Sequence, residues 1–204
     1  VTLVEGSSFC ISGRSGDMVP GSPQGLFFRD TRFLSRLELR INGQQPEPLA
    51  ATVTKPFSSM TVSRTRPRPG RADSTLVVLR HRYIGRGMRE DLEIRNYGDE
   101  PAYCSVELLF DADLADLFAV KEGRTEDLDG EHSVENADGS LRFRYRRGGV
   151  KRGVRISFSE TPRLKDNLAE FEVIVPAKGA WSTCLQVSTS IDDEEIAPRY
   201  QCGL

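Results

Sequence analysis

Polar and apolar residues alternate with a period of two along most of this chain. From Phe33 to Ile41, one face reads Phe33, Ser35, Leu37, Leu39, Ile41 and the other Leu34, Arg36, Glu38, Arg40. Successive side chains of a strand point to opposite faces, so this is the pattern of a half-buried strand. Asn42-Gly43 then supplies the positive φ of a tight hairpin turn, and Pro46 and Pro48 delay the return strand or confine it to an edge. The alternation recurs in 75–84, where Val77, Leu79, His81 and Tyr83 share a face, and in 88–96, where Met88, Leu92 and Ile94 do. It continues in 102–110 (Cys104, Val106, Leu108, Phe110), 140–146 (Leu141, Phe143, Tyr145) and 152–160 (Val154, Ile156, Phe158). Two more segments follow, 169–176 (Phe171, Val173, Val175) and 180–188 (Trp181, Thr183, Leu185, Val187). Turn-forming stretches separate them: "NYGDEP", "NADGS", "RRGG" and "PAKG". Weaker strands are expected near 7–12, 25–28, 49–54 and 59–65.

About a dozen short strands, each with one solvated face, close most simply as two antiparallel layers over a shared core. The expected fold is all-β, an antiparallel β-sandwich, and no fixed-length repeat points to a propeller or solenoid. One segment departs from period two. In "DADLADLFAV", Leu114, Leu117 and Phe118 fall at helical spacing, and a short helix is expected near 113–119, with Asp113 as its cap and Asp116 at the positive end of its dipole. The alternating pattern fills 1–190 as one domain, whereas 191–204 carries an acidic run and a proline with no period, as expected of a linker.

Composition narrows the function without naming it. A net charge of -2 gives no basic surplus for nucleic acid or a membrane surface, and no apolar stretch reaches the ~20 residues of a spanning helix. The start lacks the basic and apolar regions of a secretory signal. Cys10, Cys104, Cys184 and Cys202 lie far apart and form no CxxC pair. Core or surface thiols in a cytoplasmic protein are the simplest expectation, although spacing alone does not exclude a disulfide.

Catalytic patterns are sparse. There are two histidines, His81 and His132, with no HExxH, so neither a zinc site nor a Ser-His-Asp triad is expected. "GRSGD" (13–17) is not GxSxG, and no glycine run cradles a phosphate, so no nucleotide or other cofactor is expected. Asp111, Asp113 and Asp116 lack the turn glycine and closing Glu of a calcium loop, and helix capping accounts for two of them. Arg64, Arg66, Arg68 and Arg71 in the 64–74 stretch would suit an anion, but no aromatic is interleaved, and a solvated loop is the simpler reading. Arg29-Asp30-Thr31-Arg32 stands apart. It places three charges in four residues between two apolar segments.

That tetrapeptide lies in "PGSPQGLFFRDTRFLSRLELRINGQQPEPL" (20–49), which, with "VEGSSFCISGRSGDM" (4–18) and "LEIRNYGDEPAYCSVELLFDADLADLFAVKEG" (92–123), resembles the N-terminal domain of bacterial glycogen debranching enzyme or amylo-α-1,6-glucosidase-like proteins. The resemblance implies a sandwich of the large supersandwich-like type that precedes an (α/α)6 glycosidase domain, absent from this chain. It implies a non-catalytic role with no catalytic or metal-ligating residue here, in a parent that is an α-1,6-glucosidase. This domain would support or orient that catalytic domain on α-glucan. The expected partner is the C-terminal catalytic domain of the same polypeptide, with α-glucan and a second copy of the chain as further candidates, and neither nucleic acid nor membrane. Arg29, Asp30, Thr31 and Arg32 are the candidate substrate or interdomain contacts, since Arg and Asp suit both sugar hydroxyls and charge-assisted pairing. The rival readings are a stand-alone carbohydrate-binding module and a protein-interaction or assembly domain.

Overall fold

A computed structural model describes residues 1–67, 74–124 and 130–203. The strands run in chain order β1 (Thr2–Glu5), β2 (Ser8–Ile11), β3 (Gly25–Phe28), β4 (Thr31–Leu34), β5 (Arg36–Ile41), β6 (Glu47–Lys55), β7 (Ser58–Arg64), β8 (Leu76–Ile84), β9 (Met88–Asn96) and β10 (Ala102–Asp111). After the helix α1 (Leu117–Glu122) come β11 (Glu131–Ala137), β12 (Ser140–Arg147), β13 (Val150–Phe158), β14 (Arg163–Lys165), β15 (Leu168–Val175), β16 (Ala180–Ile191) and β17 (Glu194–Ile196). They form a nine-stranded sheet in the order β11-β12-β13-β16-β9-β8-β7-β6, with β17 also paired to β16, and two four-stranded sheets, β14-β15-β10-β5 and β1-β2-β3-β4. All pairings are antiparallel, as the period-two pattern and short connections require. The expected β-sandwich is therefore the fold.

The core lies between the large sheet and the smaller two. Leu37, Leu39, Val106, Leu108 and Phe110 from one layer share a single cluster with Val78, Leu92, Ile94, Ile156, Leu185 and Val187 from the other. Phe110, Phe158, Phe171 and Trp181 form a chain of ring contacts through it, with centroids 5.4–6.0 Å apart. The aromatic chain places Trp181 against the core, which removes the single Trp from service as a sugar platform.

Several local expectations hold and others shift. Asn42 and Gly43 have φ of 53° and 74°, and Ile41 and Gln44 exchange backbone bonds of 2.8 and 3.1 Å. The chain then leaves this hairpin, and β6 joins the large sheet as its edge, where Pro46 and Pro48 cost no ladder bond. The face Val77, Leu79, His81, Tyr83 does exist, but it is the outer one. The buried face of β8 is Leu76, Val78, Arg80, Arg82 and Ile84. Two arginines can face inward because Glu90 and Asp17 meet them there.

The helix starts later than expected. Leu114 sits at φ 54°, which no α-helix tolerates, so the turns begin at Leu117. Asp116, not Asp113, is the cap, accepting from the backbone N–H groups of Phe118 and Ala119 at 2.8 and 2.9 Å, and Gly123 closes the other end at φ 70°.

The segment 191–203 folds back on the sandwich. Residues 194–196 pair with β16, Tyr200 stacks on Phe57 at 5.0 Å, and the Arg199 N–H donates to the Gly85 carbonyl at 2.7 Å. Cys202 is bonded to Cys184, so these two are not the thiols that spacing suggested, while Cys10 and Cys104 are buried thiols. Residues separated by 18 positions gave no sequence signal for this pairing; it depends on the tail reversing direction after β17. Of the arginine-rich stretch 64–74, Arg68 and Arg71 lie outside the described residues, and Arg64 pairs with Glu47 at 2.9 Å. No helix among the described residues is long and apolar enough to cross a membrane.

Candidate functional site

The four residues 29–32 divide into two pairs. β3 and β4 are joined by a two-residue turn, Arg29-Asp30, with φ of 46° and 61°. A turn with both φ values positive matches the twist of the flanking strands, but it normally takes Asn-Gly or Asp-Gly, because a Cβ is strained there. Both residues are exposed. The Arg29 guanidinium lies over the Phe28 ring, 5.1 Å from its centroid, and among the described residues it forms no ion pair.

Thr31 and Arg32, in contrast, are buried. Arg32 Nε donates to both Asp113 carboxylate oxygens at 3.1 Å, Nη2 donates to the same carboxylate, and Nη1 donates to the carbonyls of Ser22 and Gln24 at 2.8 and 3.1 Å. Its planar fork thus ties the 20–25 loop to the segment before α1. Backbone bonds reinforce the joint. The Arg32 N–H donates to Ala115 O and the Leu117 N–H to Asp30 O, both at 2.8 Å. "GLFFRDTRFLS" and "FDADLADLF" are therefore two halves of one assembly. Beneath it, Phe27 packs with Ala115, Ala119 and Val120 in a small second core, stacked on Phe9 at 4.3 Å. Gly25 is required here, since at φ 150° a Cβ would overlap the Leu34 carbonyl oxygen and the Arg32 side chain.

Arg29 borders a cleft of about 430 Å³ at one rim of the sandwich. The β1–β2 turn brings Gly6 at φ 58° and the β8–β9 turn Arg86 at φ 61°. Glu194 and Arg199 from the tail complete the wall, and Arg199 is paired with Glu5. Among the described residues, Arg86 also forms no ion pair. The cleft therefore offers more guanidinium donors than carboxylates and suits recognition rather than proton transfer.

Sequence reasoning missed a buried ionic network below the same end. Arg80 Nε donates to Glu90 Oε1 and Arg82 Nε to Glu90 Oε2, each at 2.6 Å, while Arg80 Nη1 reaches Asp17 Oδ1 at 2.5 Å. Asp17 also accepts the Leu39 N–H at 3.2 Å, and Arg82 donates to the Gly16 carbonyl at 2.7 Å. The network thus pins the "GRSGD" loop, and that is what those residues do. Burial pushes the Glu90 carboxyl up, but the charges and hydrogen bonds of Arg80 and Arg82 outweigh it and hold the group below its ordinary value. Burial dominates at the Cys10 thiol and raises it. One signal was available. Glu90 is in phase with Met88, Leu92 and Ile94, and an acid at an apolar position calls for a buried base.

The fold is an antiparallel β-sandwich whose braced hairpin stands beside an open cleft at its rim. Within that class the family is specific. Residues 3–186 match the N-terminal domain of (some) glycogen debranching enzymes, and the chain belongs to that family. No match was found among curated proteins.

Proposed function

We propose that this domain is a non-catalytic support for a linked glycoside hydrolase domain acting on α-glucan, and that the Arg29-Asp30 turn and its cleft form the contact. The observation that carries this reading is the exposed pair of left-handed, non-glycine residues at the hairpin tip. Such strain costs about 1–2 kcal/mol per residue and persists where side chains are needed at that spot. Thr31 and Arg32 serve as the brace that holds the tip, not as contacts. Family membership supports the linked enzyme and its glucan substrate. The cytoplasmic location expected from sequence sits uneasily with the Cys184–Cys202 bond, which a reducing compartment disfavours.

The test is the double substitution Arg29→Asn with Asp30→Gly in the full-length parent polypeptide. The relaxed turn should stabilise this domain by about 1 kcal/mol or more. Hydrolysis of α-glucan should fall, and the junction between the domains should become easier to cleave in limited proteolysis. A variant that is more stable yet keeps full activity and an equally protected junction would remove the tip from any docking role.

A further inference from the structure

The free edges of the sheets are not alike. An edge strand presents unpaired backbone N–H and C=O groups, and chains usually blunt it with charge, shortness or a covering segment. At one end of the large sheet, β11 carries Glu131, His132 and Glu135. In the second sheet, β14 has three residues, two of them Arg163 and Lys165, and β5 at the far side carries Arg36, Glu38 and Arg40. β1 has four residues, and its Val4 N–H donates to the Pro56 carbonyl at 2.7 Å. β6, at the other end of the large sheet, is different. It is nine residues long, and from Leu49 to Thr54 it carries no charge. Leu49 and Val53 are each 49% exposed, and Ala51 is the one residue of the strand that is even half-buried.

In the ladder with β7, Ala50 and Thr52 stand opposite Val62 and Met60 on the outer face, and Ala51 and Val53 opposite the buried Thr61 and Ser59 on the inner one. Glu47 and Lys55 are in the outer phase too, through Arg64 and Ser58, which pair with Val77 and Tyr83 of the outer face of β8. The register with β7 slips at Leu49 and at Thr54, and Pro48 has no N–H, so the regular edge is 50–53. These features shorten the edge that an arbitrary strand could use. They leave it open to a strand that matches it. The run Leu-Ala-Ala-Thr-Val-Thr, uncharged and half β-branched, is a composition that pairs readily with a further strand.

We infer that β6 pairs antiparallel with β6 of a second copy of this chain about a two-fold axis at Ala51, so that two nine-stranded sheets join edge to edge. An axis perpendicular to the sheet keeps outer face beside outer face, so opposed residues must share a phase. Centred on Ala51, the strand matches itself. Ala50 meets Thr52, Leu49 meets Val53 and Glu47 meets Lys55, each of them twice. A shift of two residues either way sets Glu47 against Val53 or Phe57 and loses both ion pairs. The Glu47 carboxylate accepts from Arg64 through Oε2 at 2.9 Å, which leaves Oε1 for the ammonium. Lys55 lies 5.7 Å from the centroid of the Phe57 ring, and among the described residues it forms no ion pair. This self-complementarity is what selects a second copy over another partner. Neither the linked domain nor glucan enters the argument.

Sedimentation velocity on this chain at concentrations from about 1 to 300 μM tests it. A reversible monomer–dimer equilibrium with a dissociation constant on the order of micromolar is expected. Val53→Lys should raise that constant about tenfold or more, whereas Val134→Lys, on the β11 edge, should leave it unchanged. Lys55→Glu sets like charges together twice and should weaken the dimer about tenfold, Glu47→Lys should do the same, and the two combined should restore it. Both charged side chains are at the surface, so the charge-reversal set decides the matter even if Val53→Lys lowers the melting temperature. A chain that stays monomeric at about 300 μM, a dimer indifferent to Val53→Lys, a dimer lost on Val134→Lys, or a reversed-charge double variant no stronger than the single ones would each overturn it. Glucan hydrolysis is not read in this assay, so its outcome leaves the supporting role untouched.

Discussion

Replacing Glu90 with Ala should be among the most damaging single changes this domain can suffer. Glu90 is 1% exposed and accepts from both Arg80 and Arg82. Without it, Arg80 keeps Asp17, but Arg82 is left with the Gly16 carbonyl and a 3.7 Å contact to the Cys10 sulfur. An uncompensated buried charge of this kind costs about 3–5 kcal/mol. For a domain of this size a kilocalorie lowers the melting temperature by about 2–4 °C, so the expected loss is roughly 6–20 °C. Urea unfolding followed by fluorescence or circular dichroism measures it directly. Glu90→Leu combined with Arg82→Leu should cost less than Glu90→Leu alone, because the stranded guanidinium leaves with its partner. Acid provides a second readout. The Glu90 carboxyl is held low in the folded state, so the unfolded chain takes up the proton first. Its contribution is complete above the unfolded value of about 4.3 and is lost as pH falls through the folded value. The Ala variant should therefore lose less stability than the parent between neutral pH and pH values well below 4. A Glu90→Ala cost below about 1 kcal/mol, or a double variant as costly as the two single changes summed, would refute the reasoning.

Two further outcomes follow from the same contacts. Arg32→Ala should destabilise by about 3–5 kcal/mol by stranding Asp113, and Arg32→Lys should recover little, since one ammonium cannot serve Asp113, Ser22 and Gln24 together; chemical denaturation checks both. Cys202→Ser, or a dithiol reductant, should lower stability by up to about 3 kcal/mol and expose 192–203 to proteases, read by calorimetry and limited proteolysis.

Legibility differed with the kind of interaction. Strands such as 102–110 and 140–146 could be placed because alternation is a local property, and their buried residues Val106, Leu108, Leu141 and Phe143 are the ones in phase. In β8 the same logic pointed to the wrong side, since Arg80 and Arg82 look like solvent-facing residues until Glu90 on the neighbouring strand β9 and Asp17 from the loop after β2 are brought to them. The tetrapeptide 29–32 stood out as charge between apolar segments, but which of its members reach solvent depended on the turn and on Asp113, 81 residues from Arg32.

The sequence by itself determined the all-β class, most strand positions, the Asn42-Gly43 turn and the existence of a helix near Leu117, because each depends on neighbours within a few residues. Only the tertiary structure decided which face of β8 is inside, that Asp116 rather than Asp113 caps α1, and that Cys184 joins Cys202. Those outcomes turn on charge partners and strand register between distant segments, and the pairing of distant segments is a property of the packed chain rather than of any local stretch of it.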